Sequence, residues 1–109
     1  MQKENSELPI IYIAGKISGV PDLNRPKFEA ATKDLRSRGH IVRNPLEICE
    51  GMDPDQWELC MRKCISVLCQ CDLLVLLDDW VQSKGAQIEF RLANDLLIPF
   101  CDYKEFLHG

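Results

Sequence analysis

Pro9-Ile10-Ile11-Tyr12-Ile13-Ala14, stopped by Gly15, is a continuous apolar run rich in β-branched and aromatic side chains. A run of this length without polar alternation reads as a strand covered on both faces, as in a parallel sheet between helices. Three further short strands follow: His40-Ile41-Val42-Arg43-Asn44 closed by Pro45, Leu73 to Leu77, and Ile98-Pro99-Phe100-Cys101. Helical patterns separate them. Asn24-Arg25-Pro26 supplies a cap and an early proline, Phe28, Ala31 and Leu35 mark one face, and Gly39 is a stop. Asp53-Pro54-Asp55-Gln56 starts a second helix through Trp57, Met61, Cys64, Ile65 and Leu68 to about Gln70. A third opens at Ser83. Leu46 to Met52 and Asp78 to Gln82 read as loops, and the tail from Asp102 has room for a helical turn. The order βαβαβαβ predicts an α/β fold: a small flavodoxin-like or Rossmann-like three-layer sandwich with a four- to five-stranded parallel sheet. Strand order 2-1-3-4 is preferred, in a single domain over residues 1–109.

The third helix carries an anomaly. At roughly 100° per residue, Ala86, Ile88, Phe90, Leu92, Ala93, Leu96 and Leu97 fill one broad arc, and Gln87, Arg91, Asn94 and Asp95 the other. Glu89 falls inside the apolar arc, between the directions of Leu96 and Ala93. A charge there costs several kcal/mol, roughly, unless it is paired, protonated or facing a cavity. A catalytic carboxylate is placed in this way, and so is a structural glutamate with a buried partner.

Apolar residues at 46% and charged residues at 28% describe an ordinary globular chain. A net charge of −4, with no basic stripe, excludes a polymeric nucleic acid as the expected partner. No apolar stretch is long enough to span a membrane, and Met1 to Glu7 lacks the hydrophobic region of a signal peptide, so the expected location is cytoplasmic. Cys49, Cys60, Cys64, Cys69, Cys71 and Cys101 do not match paired zinc-module spacing, so they are expected to be free thiols acting as small buried hydrophobes, with no metal.

Ligands of such folds bind beyond the carboxyl ends of the strands. Those ends carry Gly15-Lys16-Ile17-Ser18-Gly19 after strand one, Asn44-Pro45 after strand two, and Asp78, Asp79 and Trp80 after strand three, with Ser83 and Gly85 opening the Glu89 helix. Glycines permit close backbone approach, and a helix N-terminus favours an anion such as phosphate. Neither a dinucleotide glycine fingerprint nor a Walker lysine is present. Asp72 precedes strand three at the opposite edge and reads as a cap or ion-pair residue.

Tyr12-Ile13-Ala14-Gly15-Lys16-Ile17-Ser18-Gly19, Asn24-Arg25-Pro26-x-Phe28, Gly39-His40, Asn44-Pro45, Cys71-Asp72 and Trp80-x-x-Ser83-x-Gly85-Ala86-x-x-Glu89 together resemble a family. It is the DUF4406 type, related to the nucleoside 2-deoxyribosyltransferases, and the resemblance runs from about Ile10 to Cys101. It implies that Glu89 attacks an anomeric carbon, that Tyr12 belongs to the catalytic group beside it, and that Ser83 contacts a 5′-phosphate. It further implies that Gly15, Lys16, Ser18, Asn44, Asp79, Trp80 and Gly85 border the substrate, with Tyr12 and Trp80 bracketing the base. The implied substrate is a nucleoside or nucleotide, without cofactor, in a homo-oligomer whose neighbours complete each pocket. Three positions depart from the family pattern. Cys64 stands where relatives commonly carry an assisting aspartate, Lys16 replaces proline, and Asp79 replaces the glycine before tryptophan. Asp78 or Asp79 offers a substitute acid, and Lys16 a cation for phosphate. The alternative is a catalytically silent nucleotide-binding module.

Overall fold

The computed structural model describes residues 8–53 and 55–108. The polar leader Met1 to Glu7, Pro54 of the expected helix start, and Gly109 lie outside the described residues.

Four strands form one sheet: β1 (Ile11–Ala14), β2 (Val42–Arg43), β3 (Leu73–Leu76) and β4 (Phe100–Asp102). All pairings are parallel and the order is β2-β1-β3-β4, the preferred arrangement. Ile11 pairs with both Val42 and Leu73, Ala14 with Leu76, and Leu74 with Phe100. Among the described residues there are five α-helices, α1 (Arg25–Ser37), α2 (Pro45–Ile48), α3 (Trp57–Leu68), α4 (Lys84–Asp95) and α5 (Tyr103–His108), and two short 3-10 turns, Pro21–Asn24 and Trp80–Gln82. Among the described residues no helix is long and apolar enough to cross a membrane.

Side chains alternate across a strand, so the central strands feed two cores. Ile11, Ile13, Val75 and Leu77 pack with Phe28, Ala31 and Leu35 of α1, with Tyr103 and Phe106 of α5 against them. Tyr12, Ala14, Leu74 and Leu76 face the other way, toward Cys64 and Leu68 of α3 and Ala86 and Ala93 of α4. β1 is wholly buried, as a strand covered on both faces must be. Asp72 accepts a hydrogen bond from the Ile10 amide at 2.9 Å, joining the amino ends of β1 and β3 away from the ligand-binding edge.

Several local expectations change. The segment read as a loop after strand two contains α2, whose N-cap is Asn44: its side-chain oxygen accepts from the Leu46 amide at 2.9 Å. At four residues it is too short to show a helical period. The second long helix begins at Trp57, after Gln56, rather than at Asp53. Asn24 does precede α1, but with φ 60° and without a side-chain cap bond. Leu96 and Leu97 lie beyond the end of α4 and are 54% and 88% exposed, so the buried arc stops at Ala93. Leu97 adopts φ 61°, which turns the chain away from the helix axis. Two of the six cysteines are not free: Cys49 and Cys60 form a disulfide between the end of α2 and the first turn of α3. The contact joins elements that sequence spacing does not align.

Candidate functional site

Glu89 occupies the second turn of α4 and is 4% exposed. The helix starts where it does because Ser83 caps it: the serine Oγ accepts from the Ala86 amide at 3.1 Å. From that start, Glu89 faces Tyr12 of β1. The Tyr12 hydroxyl donates to Glu89 Oε2 at 2.5 Å, a short charge-assisted contact. Among the described residues this is the hydrogen bond the carboxylate receives, and it leaves Oε1 free. Burial pushes the Glu89 carboxyl up to about 7, against the downward pull of the tyrosine bond. Burial, then the facing Glu89 charge, raises the Tyr12 phenol well above its ordinary value, so it remains a donor.

Glu89 lines a cavity of about 420 Å³, in the size range of a small-molecule site. Gly15, Lys16 and Ser18 of the turn after β1, and Ser83 and Gly85 at the head of α4, line it too. Six of the ten sequence-selected residues therefore meet around one space.

The other four stand elsewhere. Tyr12 is fully buried beneath the cavity and cannot stack on a base; it positions Glu89. Asn44 is 2% exposed and occupied in capping α2 and donating to Thr32 Oγ1 at 3.0 Å. Trp80 packs against Phe90, with ring centroids 4.7 Å apart, and lines a separate cavity of about 620 Å³ between α1, α5 and the ends of β3 and β4. Asp79 is a clamp. Its Oδ1 accepts from the Lys16 amide at 2.9 Å, and its Oδ2 from Asn24 Nδ2 at 3.0 Å and Lys27 Nζ at 3.1 Å. Partial burial pulls its pKa up, but these donors outweigh it and hold it below the ordinary value. Asp78 is bound by Lys27 at 2.6 Å. Neither aspartate lines the Glu89 cavity, so neither serves as the substitute acid there.

The aromatic wall is instead Trp57, at the start of α3, with Met61 one turn on. Lys84 Nζ lies 4.8 Å from the Trp57 ring centroid, within cation–π range, and also lines the cavity. Gly85 lets the helices meet: a Cβ there would stand 3.0 Å from Met61 Sδ and 3.8 Å from the Trp57 ring. The sequence offered one signal for Trp57, its place on the same helical face as Cys64 and Met61. Cys64 is 2% exposed on that face, and burial pushes its thiol up to about 11, so it is neutral and supplies no carboxylate chemistry.

The chain is thus a small parallel α/β protein in which a buried carboxyl, raised toward neutrality and held by a tyrosine, borders a cavity beyond the strand ends. The family model described as "Domain of unknown function (DUF4406)" matches residues 9–102, and the chain belongs to that family. No curated protein and no solved structure matches the chain.

Proposed function

We propose that the protein handles a nucleoside or its 5′-monophosphate and cleaves or transfers the N-glycosidic bond through Glu89. The observation that carries this reading is the buried Glu89 carboxylate, fixed through one oxygen by Tyr12 with the other oxygen free, in a cavity of about 420 Å³. In the proposed step Oε1 attacks the anomeric carbon while the carbon–nitrogen bond breaks and the base leaves with the electron pair, taking a proton from water. Water or a second base then displaces the glutamyl ester, regenerating the carboxylate with net retention. Trp57 is the stacking surface for the base. A 5′-phosphate is received by the first amides of α4, the Ser83 hydroxyl and the Lys16 and Lys84 ammonium groups, an anion seat at a helix N-terminus. The relation to nucleoside 2-deoxyribosyltransferases belongs to this proposal. So does a second copy as partner, supported by β4 at the sheet edge among the described residues and by the exposed Leu96, Leu97 and Phe100.

A silent nucleotide-binding module is the second reading, favoured by the neutral Cys64 thiol in place of an assisting acid. One experiment separates the two. Deoxynucleosides and their 5′-monophosphates are screened by chromatography for released base, with Glu89→Gln as control, and binding is followed by calorimetry. Turnover lost in Glu89→Gln and rising with pH through about 7 supports the enzyme. Saturable binding without turnover supports the module, and neither binding nor turnover refutes both. Ser83→Ala should weaken a monophosphate by roughly 1.5–3 kcal/mol more than its nucleoside. Equal losses would reduce Ser83 to a helix cap.

A further inference from the structure

The disulfide between Cys49 and Cys60 is not isolated. Cys64, one turn after Cys60 on α3, has its Sγ 3.6 Å from Cys49 Sγ and 4.0 Å from Cys60 Sγ. Among the described residues these three are the group of possible ligands whose donor atoms gather within 4.8 Å of one another. Three sulfurs around a cation at a metal–sulfur distance of about 2.3 Å stand roughly 3.8–4.0 Å from each other, for tetrahedral or trigonal geometry. Cys64 already stands at that spacing from Cys60 and only a few tenths of an ångström inside it from Cys49. Only the Cys49–Cys60 edge must open, and reduction opens it.

We propose that the reduced protein binds one thiophilic d¹⁰ cation, of the zinc and cadmium kind, through the thiolates of Cys49, Cys60 and Cys64. The ligand set is sulfur alone, which selects such cations over magnesium or calcium. Two thiolates come from successive turns of one helix and the third from the end of the adjoining α2, so the site rests on packed backbone rather than on a long loop. Cys60 and Cys64 also line the Glu89 cavity. The fourth coordination position therefore opens into that cavity, where water or a ligand atom fills it, as in sites with three protein ligands. The chemistry balances in two stages. The disulfide takes two electrons from a phosphine reductant and two protons from water, giving two thiols, while the phosphine takes the water's oxygen and leaves as its oxide. The cation then displaces three thiol protons, which pass to buffer. The oxidised protein has no such site, so cation uptake is gated by the redox state of the cysteines. The inference does not depend on the nucleotide reading.

The test is anaerobic titration of the phosphine-reduced full-length chain with cadmium, read by its ultraviolet thiolate charge-transfer band, with zinc as competitor. The expected result is saturation at one cation per chain, release of three protons and no uptake by the oxidised protein. Cys49→Ser and Cys64→Ala should each weaken binding roughly 100-fold or more, beyond the 10–100-fold that loss of an outer-shell partner costs. Circular dichroism checks the fold of both variants, and Cys49, being half-buried, supplies the milder of the two substitutions. A Cys69→Ser/Cys71→Ser variant should bind as the parent does. Absence of saturable uptake by the reduced parent overturns the proposal. So does uptake that survives Cys49→Ser and Cys64→Ala, or that disappears with Cys69 and Cys71.

Discussion

Replacing Glu89 by glutamine should remove a large part of the fall in stability with rising pH. The folded carboxyl titrates at about 7, against an ordinary value of 4.5. Between those values the native protein keeps a proton that the unfolded chain has released. The stability associated with that proton is fully present below about pH 4.5 and is lost as pH rises through about 7. At about 1.4 kcal/mol per tenfold change, the loss amounts to roughly 3 kcal/mol. Glutamine does not titrate, so it escapes the loss. The stability of wild type minus that of Glu89→Gln should therefore fall by roughly 3 kcal/mol between pH 4.5 and 8. Any fixed cost of seating the amide against Tyr12 cancels in this comparison. Urea unfolding followed by circular dichroism, with the disulfide intact in both proteins, measures it directly. With a slope of about 1–3 kcal/mol/M, the relative midpoints should move by about 1–3 M. A difference that stays flat within about 0.5 kcal/mol would show that Glu89 ionises in the ordinary range, and the argument from burial would fail.

Tyr12→Phe removes the donor that lowers the Glu89 pKa, so the carboxyl should titrate above its present value, by carbon-13 NMR of labelled glutamate. Above pH 7 the same change should cost about 1–3 kcal/mol for an ionised carboxylate left without its partner, and an unmoved titration would mean that the hydroxyl does not hold Oε2 in solution. Gly15→Ala should cost about 1–3 kcal/mol in chemical denaturation, because its Cβ would meet Leu77 Cβ at 3.0 Å and Asp79 Oδ1 at 3.1 Å. Gly85→Ala should cost less, since the atom it meets is the flexible Met61 sulfur; equal costs would refute that distinction.

What could be read from the chain follows the range of the interactions involved. The runs at Ile11 to Ala14 and Leu73 to Leu76 declare buried strands locally, and four strands separated by helical segments leave few parallel topologies. Glu89 was legible because a charge inside an apolar arc is a local contradiction. Which tryptophan faces the cavity was not, since that depends on where α3 and the turn after β3 land relative to the sheet. Trp80 sits beside the family-like serine and glycine in sequence, yet it packs against Phe90, while Trp57 arrives at the cavity from a distant segment. Tyr12 lies against Glu89 but is buried beneath the cavity rather than in its wall: a run buried on both faces does not say which helix will cover each residue. The disulfide was hidden for the same reason. Cys49 and Cys60 meet through the packing of α2 on α3, and α2 itself is too short to announce its presence.

The clamp at Asp79 changes how the chain's two neighbouring departures from the family pattern should be counted. A proline at position 16 would have no amide hydrogen to donate, and a glycine at position 79 no carboxylate to receive one. Here the Lys16 amide donates to Asp79 Oδ1, and the same carboxylate gathers Asn24 and Lys27. Lysine and aspartate thus act as one pair, in which a backbone donor at one strand end is answered by an acceptor at the next. In a double-mutant cycle, Lys16→Pro and Asp79→Gly should be non-additive, each alone stranding what the other supplies. A chain carrying only one of the two would hold the less stable turn, so the residues at 16 and 79 constrain each other.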